Sequence, residues 1–103
     1  MYSEISTTEL EQLLKEGKSI NLVDVRELDE WQSGHIKEAR LVPLSELPDR
    51  LDDLLQEDQE VIVICRSGGR SGKVCEYLQS QGYEAVNVAG GMLDWPGEVE
   101  LGD

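Results

Sequence analysis

The sequence predicts an α/β domain with a central parallel sheet of about five strands and helices on both faces. Short apolar runs alternate along the chain with segments of helical periodicity. The connections between them are short, as is typical of parallel strands joined by crossover helices. The run Val61–Ile64 is entirely β-branched, which indicates a strand buried on both faces of the sheet. With 103 residues, the chain is large enough to fold as one domain covering positions 1–103.

The first half of the chain is predicted to contain three strands and two helices. Ser6 and Glu9 have the spacing of a capping box, and the leucines that follow form a helical stripe that ends at Gly17. A second, short helix is expected before Gly34, which stops it. The predicted elements are strands at 2–5, 20–25 and 40–42, with 2–5 at an edge of the sheet, and the second helix at 28–33.

The second half is predicted to contain two helices and two strands. A helix over 47–55 would have Pro48 in its first turn and leucines at 51, 54 and 55 on one face. The remaining predicted elements are strands at 61–64 and 84–88, a helix at 72–81 that ends at Gly82, and a turn at 92–95 after Gly90-Gly91.

Composition excludes several classes of partner. The chain has 22 acidic residues against 9 Lys and Arg, a net charge of −13, so its surface should repel nucleic acid and anionic lipid. No apolar run is long enough to cross a bilayer, and the N-terminus lacks the basic region and apolar core of a signal peptide. We therefore expect a cytoplasmic protein with no nucleic-acid or membrane partner.

A candidate nucleophile, Cys65, lies where the 61–64 strand ends, at the edge of the sheet where ligands bind in open parallel α/β folds. Two glycines after it can take positive φ angles, which lets consecutive N–H groups point into one concavity. Ser71 is expected to cap the next helix, whose dipole favours an anion. These features and two arginines should lower the pKa of the thiol. The residues of the predicted anion cradle are Arg66, Ser67, Gly68, Gly69, Arg70 and Ser71.

For each of the two cysteines an unreactive role must be weighed against a reactive one. Cys65 could be an inert buried cysteine, but packing alone does not require two glycines, two arginines and a helix start around it. Cys75 lies over two helical turns further along, beyond the reach of a disulfide to Cys65. We predict that Cys75 packs inward beside Val74 and Leu78; a resolving thiol is the alternative.

Other polar residues are assigned supporting roles. Asp24 and Arg26 lie at the end of the second strand, near the carboxyl edge of the sheet. An ion pair or a hydrogen-bonded carboxylate that fixes the loop is favoured over direct chemistry. His35 is the only histidine, so no histidine-rich metal site is expected, and its position before Ile36 favours a structural role. We predict no metal and no cofactor.

The loop Cys-Arg-Ser-Gly-Gly-Arg-Ser closely resembles the active-site loop of single-domain rhodaneses. The resemblance covers nearly the whole chain, although Glu38-Ala39 stands where family members often have Gly-Ala. The other matching segments, in the family's order, are Asp-Val-Arg-Glu at 24–27, Glu-Trp-Gln-Ser-Gly-His-Ile at 30–36, Val-Pro-Leu at 42–44, Gly-Tyr at 82–83 and Gly-Gly-Met-Leu-Asp-Trp at 90–95.

This resemblance implies a rhodanese fold with the Cys65 strand central, and a thiosulfate sulfurtransferase that works through a Cys65 persulfide. The donor would be a small anion such as thiosulfate, and the acceptor cyanide or a thiol, including a protein thiol. Related dual-specificity phosphatases have five residues between their cysteine and arginine, whereas Cys65 and Arg70 have four between them. The shorter loop disfavours a phosphatase or arsenate reductase. A persulfide carrier or docking module that delivers sulfur to a partner protein remains the alternative.

Overall fold

The computed structural model describes residues 2–47, 49–55 and 59–103. Five strands form one sheet in the order β1-β5-β4-β2-β3, and every neighbouring pair is parallel. The predicted fold class is therefore confirmed, with β4 in the centre and β1 at an edge. The strands are β1 (Ser3–Ser6), β2 (Asn21–Asp24), β3 (Arg40–Leu41), β4 (Val61–Ile64) and β5 (Ala85–Ala89).

In the described residues, three α-helices and two short 3₁₀ segments lie between the strands, and a third 3₁₀ segment follows β5. The capping box before α1 is confirmed: the Glu9 amide donates to Ser6 Oγ at 3.0 Å, and the Ser6 amide donates to Glu9 Oε1 at 3.1 Å. None of the helices in the described part of the chain is long and apolar enough to span a membrane. The helices are α1 (Thr7–Lys15), α2 (Leu28–Gln32) and α3 (Gly69–Ser80), and the 3₁₀ segments are Leu44–Glu46, Leu51–Leu54 and Gly91–Asp94.

The α-helix predicted over 47–55 is wrong. This region instead contains the 3₁₀ segment Leu51–Leu54, and a separate 3₁₀ segment, Leu44–Glu46, lies just before it. The predicted first-turn Pro48 lies outside the described residues. Leu54 is fully buried, and Leu51 packs against the same core. A spacing of three residues puts side chains on one side of a 3₁₀ turn as well as an α-helix, so the leucine pattern did not distinguish them.

Apolar clusters cover both faces of the sheet, as the parallel arrangement requires. Successive residues of β4 point to opposite faces, so Val61 and Val63 join one cluster and Ile62 and Ile64 join the other. Cys65 continues the first alternation, and its side chain therefore lies on the face that α3 covers. The sheet thus places Cys65 beside the start of α3.

Candidate active site

Cys65 directly follows β4, at the carboxyl edge of the sheet, and the loop after it folds back over its sulfur. The Gly68 amide donates a hydrogen bond to Cys65 Sγ at 3.1 Å, and Ser71 Oγ lies 3.3 Å from the same atom. Cys65 is only 1% exposed. The sulfur is therefore buried and faces two polar groups, the Gly68 amide and the Ser71 hydroxyl.

Helix α3 begins at Gly69, three residues before the start predicted from the sequence. Gly68 is the N-cap residue, with φ of +104°. The left-handed conformation turns the Gly68 amide toward the sulfur, and a residue with a Cβ adopts it only with strain. The first turn of α3 therefore lies directly against Cys65, where its dipole favours negative charge on sulfur.

The prediction that Ser71 caps the helix is wrong. Ser71 lies within the first turn of α3, and no side chain makes the cap hydrogen bond at Gly68. Its buried hydroxyl instead lies near Cys65 Sγ and near the side-chain oxygen of Asn87. Because Gly68 alone makes the turn, the serine side chain is free to contact the sulfur.

The pKa of the Cys65 thiol is set by opposing effects. Burial acts to raise it above its ordinary value of 9.0, because the thiolate loses hydration. Hydrogen bonds from the Ser71 hydroxyl and from the amides of Ser71, Gly68 and Ser67 favour the thiolate and outweigh burial. The pKa is consequently lowered, which is the condition for a reactive cysteine.

The turn after β5 supports the loop from the other side. The Met92 amide donates to the Cys65 carbonyl and the Leu93 amide to the Arg66 carbonyl, each at 2.9 Å. Gly91, with φ of +58°, packs so closely that a Cβ there would lie 2.6 Å from the Arg66 oxygen and nearer still to the Cys65 oxygen. The sequence signal for this contact was the Gly90-Gly91 pair, which predicted a turn but not its packing against the Cys65 loop.

Arg70 makes a bidentate ion pair that the sequence analysis missed. Its two terminal nitrogens donate to the two carboxylate oxygens of Glu30 at 2.7 and 2.8 Å. The hydrogen bond from Arg70 is the largest cause that lowers the pKa of Glu30 from 4.5 to about 2, and the same pair raises the pKa of Arg70. Glu30 therefore anchors the side chain of Arg70 across the site.

The other predicted cradle residues lie at the surface. Arg66, Ser67 and Gly69 are exposed, whereas Ser71 is buried and Arg70 is partly buried. Of the predicted cradle, the groups that contact Cys65 Sγ are the Gly68 amide and the Ser71 hydroxyl. Arg66 is thus the cation of the loop that is most open to an approaching anion.

The predicted ion pair between Asp24 and Arg26 is present and almost fully buried, with an N–O distance of 2.8 Å. Arg26 also donates to the carbonyls of Glu30 and Gly34, at 3.2 and 2.8 Å. The pair joins the end of β2 to α2, which carries Glu30. That the Asp24–Arg26 pair supports the site remains a prediction, and this geometry is its basis.

His35 and Cys75 are both buried away from solvent. The His35 ring stacks on Trp31 at a centroid distance of 3.7 Å, and its Nδ1 lies 2.9 Å from the Trp31 carbonyl. Cys75 packs in the core cluster with Val74 and Leu78, as predicted, and both cysteines are free thiols. Burial raises the pKa of Cys75 to about 12, so this thiol is poorly suited to react.

Known proteins resemble this chain over nearly its full length. Residues 6–98 match the profile of the Rhodanese-like domain family. The Bacillus subtilis protein named "Putative sulfurtransferase YtwF" is 41% identical over 94% of this chain and 93% of its own length. "Putative sulfur carrier protein YrkF", from the same organism, is 38% identical over 94% of this chain and 52% of its own length. A crystal structure of a rhodanese-like domain protein from Staphylococcus aureus is 39% identical, with a TM-score of 0.88 over 98% of this chain and 99% of that one.

Proposed function

Because this chain belongs to the rhodanese-like domain family, we propose that it takes sulfane sulfur from thiosulfate onto Cys65 and passes it to cyanide or a thiol. One observation carries this proposal: Cys65 Sγ accepts a hydrogen bond from the Gly68 amide at 3.1 Å, at the start of α3. That arrangement favours a thiolate, which is the attacking form of cysteine. Sulfur transfer in general is also the function named in the relatives YtwF and YrkF.

The proposed reaction is a double displacement. The Cys65 thiolate attacks the outer sulfur of thiosulfate, a new S–S bond forms at Sγ, and the S–S bond of the donor breaks. Sulfite leaves with that electron pair, and the protein keeps a persulfide whose outer sulfur carries the negative charge. An acceptor anion then attacks this outer sulfur, and Sγ leaves as the thiolate. The two substrates need not meet, so the kinetics should be ping-pong.

The loop backbone would hold the charged outer sulfur in the persulfide. We propose that N–H groups within residues 66–70 donate to it, each worth about 2.7–4 kcal/mol if they act like oxyanion-hole donors. Arg66, which is exposed, would meet the sulfonate of the donor first. The charge of Arg70 is largely offset by Glu30, so Arg70 would shape the loop more than attract the donor.

Intact mass of the purified protein tests the proposal. After incubation with thiosulfate the mass should rise by one sulfur atom, about 32 Da, and fall back on adding cyanide, as expected for a covalent intermediate. Cys65→Ser should take up no sulfur, whereas Cys75→Ser, the same substitution at the other cysteine, should take up sulfur like the parent. Sulfur uptake by folded Cys65→Ser would remove the nucleophile assignment.

A second candidate is a persulfide carrier that exchanges sulfur with a partner protein. The name of YrkF favours it, and the exposure of Arg66, Ser67 and Gly69 leaves the loop open to a protein surface. The chemistry at Cys65 would be the same, but small donors would be incidental. Thiosulfate turnover that does not saturate, together with fast loading from a protein persulfide, would favour the carrier over the enzyme.

A further inference from the structure

The hydroxyl of Ser71 has more acceptors than it can serve. It lies 3.3 Å from Cys65 Sγ and 3.3 Å from the Gly68 carbonyl, and its contact with Asn87 Oδ1 is the shortest of the three. A hydroxyl has one proton, so it donates to one of these atoms at a time. The shortest contact indicates that the Ser71 hydroxyl donates to Asn87 Oδ1 in this structure.

Asn87, on β5, is 2% exposed, and its neighbours determine how its amide is oriented. Its nitrogen lies 3.0 Å from a carboxylate oxygen of Glu4 and 3.2 Å from the Gly68 carbonyl oxygen. Both of these partners can only accept, so a flipped amide would place its oxygen against two oxygens. The amide oxygen of Asn87 must therefore face Ser71.

We propose that Asn87 is a positioning residue: its Oδ1 accepts the hydrogen bond of the Ser71 hydroxyl while Cys65 Sγ is neutral, and it loses that hydrogen bond to Sγ when the sulfur is ionised. In the neutral form the thiol can donate to Ser71 Oγ, and the hydroxyl can donate onward to Asn87. In the ionised form the hydroxyl turns to Sγ, which leaves the buried Asn87 oxygen without its donor. Asn87 thereby opposes ionisation, because a buried acceptor without a partner costs free energy.

This inference rests on the proposed function for its meaning in catalysis. The inner sulfur of a persulfide is neutral, so the Ser71 hydroxyl would return to Asn87 once Cys65 is loaded. Asn87 would then stabilise the loaded protein relative to the free thiolate. It would also keep the thiol from becoming too weak a nucleophile, because nucleophilicity falls as the pKa of the thiol falls.

Asn87→Leu tests this role without altering any charged group. The Gly68 carbonyl would still accept from the Gly72 amide at 3.0 Å, and the exposed Glu4 carboxylate would turn to water. None of the titratable groups around the cluster is substituted in this variant. These groups are Glu4 from β1, Tyr2 before it, Cys75 and Arg70 from α3, and Glu30 and Asp24 behind Arg70.

The measurement is the pKa of Cys65, from the pH dependence of iodoacetamide alkylation at the Cys65 peptide. In Asn87→Leu it should fall by about half a unit to one unit, the worth of one hydrogen bond. In Ser71→Ala it should rise, and adding Asn87→Leu to Ser71→Ala should change it no further. Val88→Ala is the matched control, since its side chain packs on β5 in the opposite apolar cluster and should leave this pKa unchanged.

An unchanged pKa in folded Asn87→Leu would overturn the proposal, and so would an equal shift in the Ser71→Ala background. If Asn87→Leu does not fold, as judged by circular dichroism, Asn87→Ala is measured against the same two criteria. No sulfur donor is present in this assay. A protein that failed to take up sulfur from thiosulfate would therefore refute the proposed function and leave the result at Asn87 intact.

Discussion

Glu30→Gln should destabilise the fold and loosen the loop, because it breaks the bidentate pair with Arg70. The pKa of Glu30 falls from 4.5 to about 2 in the folded protein. At about 1.4 kcal/mol per pKa unit, the whole difference would correspond to about 3 kcal/mol. The side chains of Arg70 and Glu30 are 34% and 28% exposed, so water screens the pair, and we expect a loss of about 1–2 kcal/mol at pH 7.

The pH dependence of this loss has a defined sign. The pKa of Glu30 is depressed on folding, so its contribution is complete above pH 4.5 and disappears as the pH falls through about 2. Urea unfolding should therefore show the full difference between Glu30→Gln and the parent at pH 7 and only a small part of it at pH 2. Sulfur uptake by Cys65 at pH 7 should also slow, because Arg70 loses its anchor.

Glu46→Gln is the matched control for charge. Glu46 makes an exposed pair with Arg50 at 2.8 Å, with side chains 50% and 38% exposed, so its loss should cost less than about 1 kcal/mol. It also corrects for the general relief of repulsion when a chain of net charge −13 loses one acidic group. Equal stability of the two variants at pH 7, or a Glu30→Gln deficit that persists at pH 2, would refute this reasoning.

Two further predictions concern the loop and its sulfur. Gly91→Ala should lower the free energy of unfolding in urea by more than about 2 kcal/mol, because a Cβ there meets the Cys65 and Arg66 carbonyls. Gly17→Ala is the control: Gly17 has φ of +73° and open space around it, so this variant measures the smaller cost of the left-handed backbone alone. Equal losses in the two variants would contradict the steric argument. Iodoacetamide should alkylate Cys65 with a midpoint below pH 9.0 and leave Cys75 unmodified, and the masses of the two cysteine peptides measure this. Faster labelling of Cys75 than of Cys65 would be inconsistent with the buried thiol of Cys75 and its raised pKa.

Local patterns were sufficient for most of the fold. The β-branched run Val61–Ile64 predicted a strand buried on both faces, and the Ser6–Glu9 capping box marked the start of α1. The 47–55 region shows the limit of such patterns. Its leucines satisfy both α and 3₁₀ spacing, so the pattern alone could not decide between the two kinds of helix.

The candidate site, like the fold, was predictable from the sequence only in part. The sequence by itself determined a cysteine at the end of a buried strand, followed by glycines and a helix, because those features are contiguous in the chain. Only the tertiary structure decided which distant groups meet them: Glu30 lies 40 positions from Arg70, and Asn87 lies 16 from Ser71. These hydrogen bonds join atoms that strand order and helix packing bring together. The sequence around a polar residue does not indicate which distant residue will be its hydrogen-bond partner.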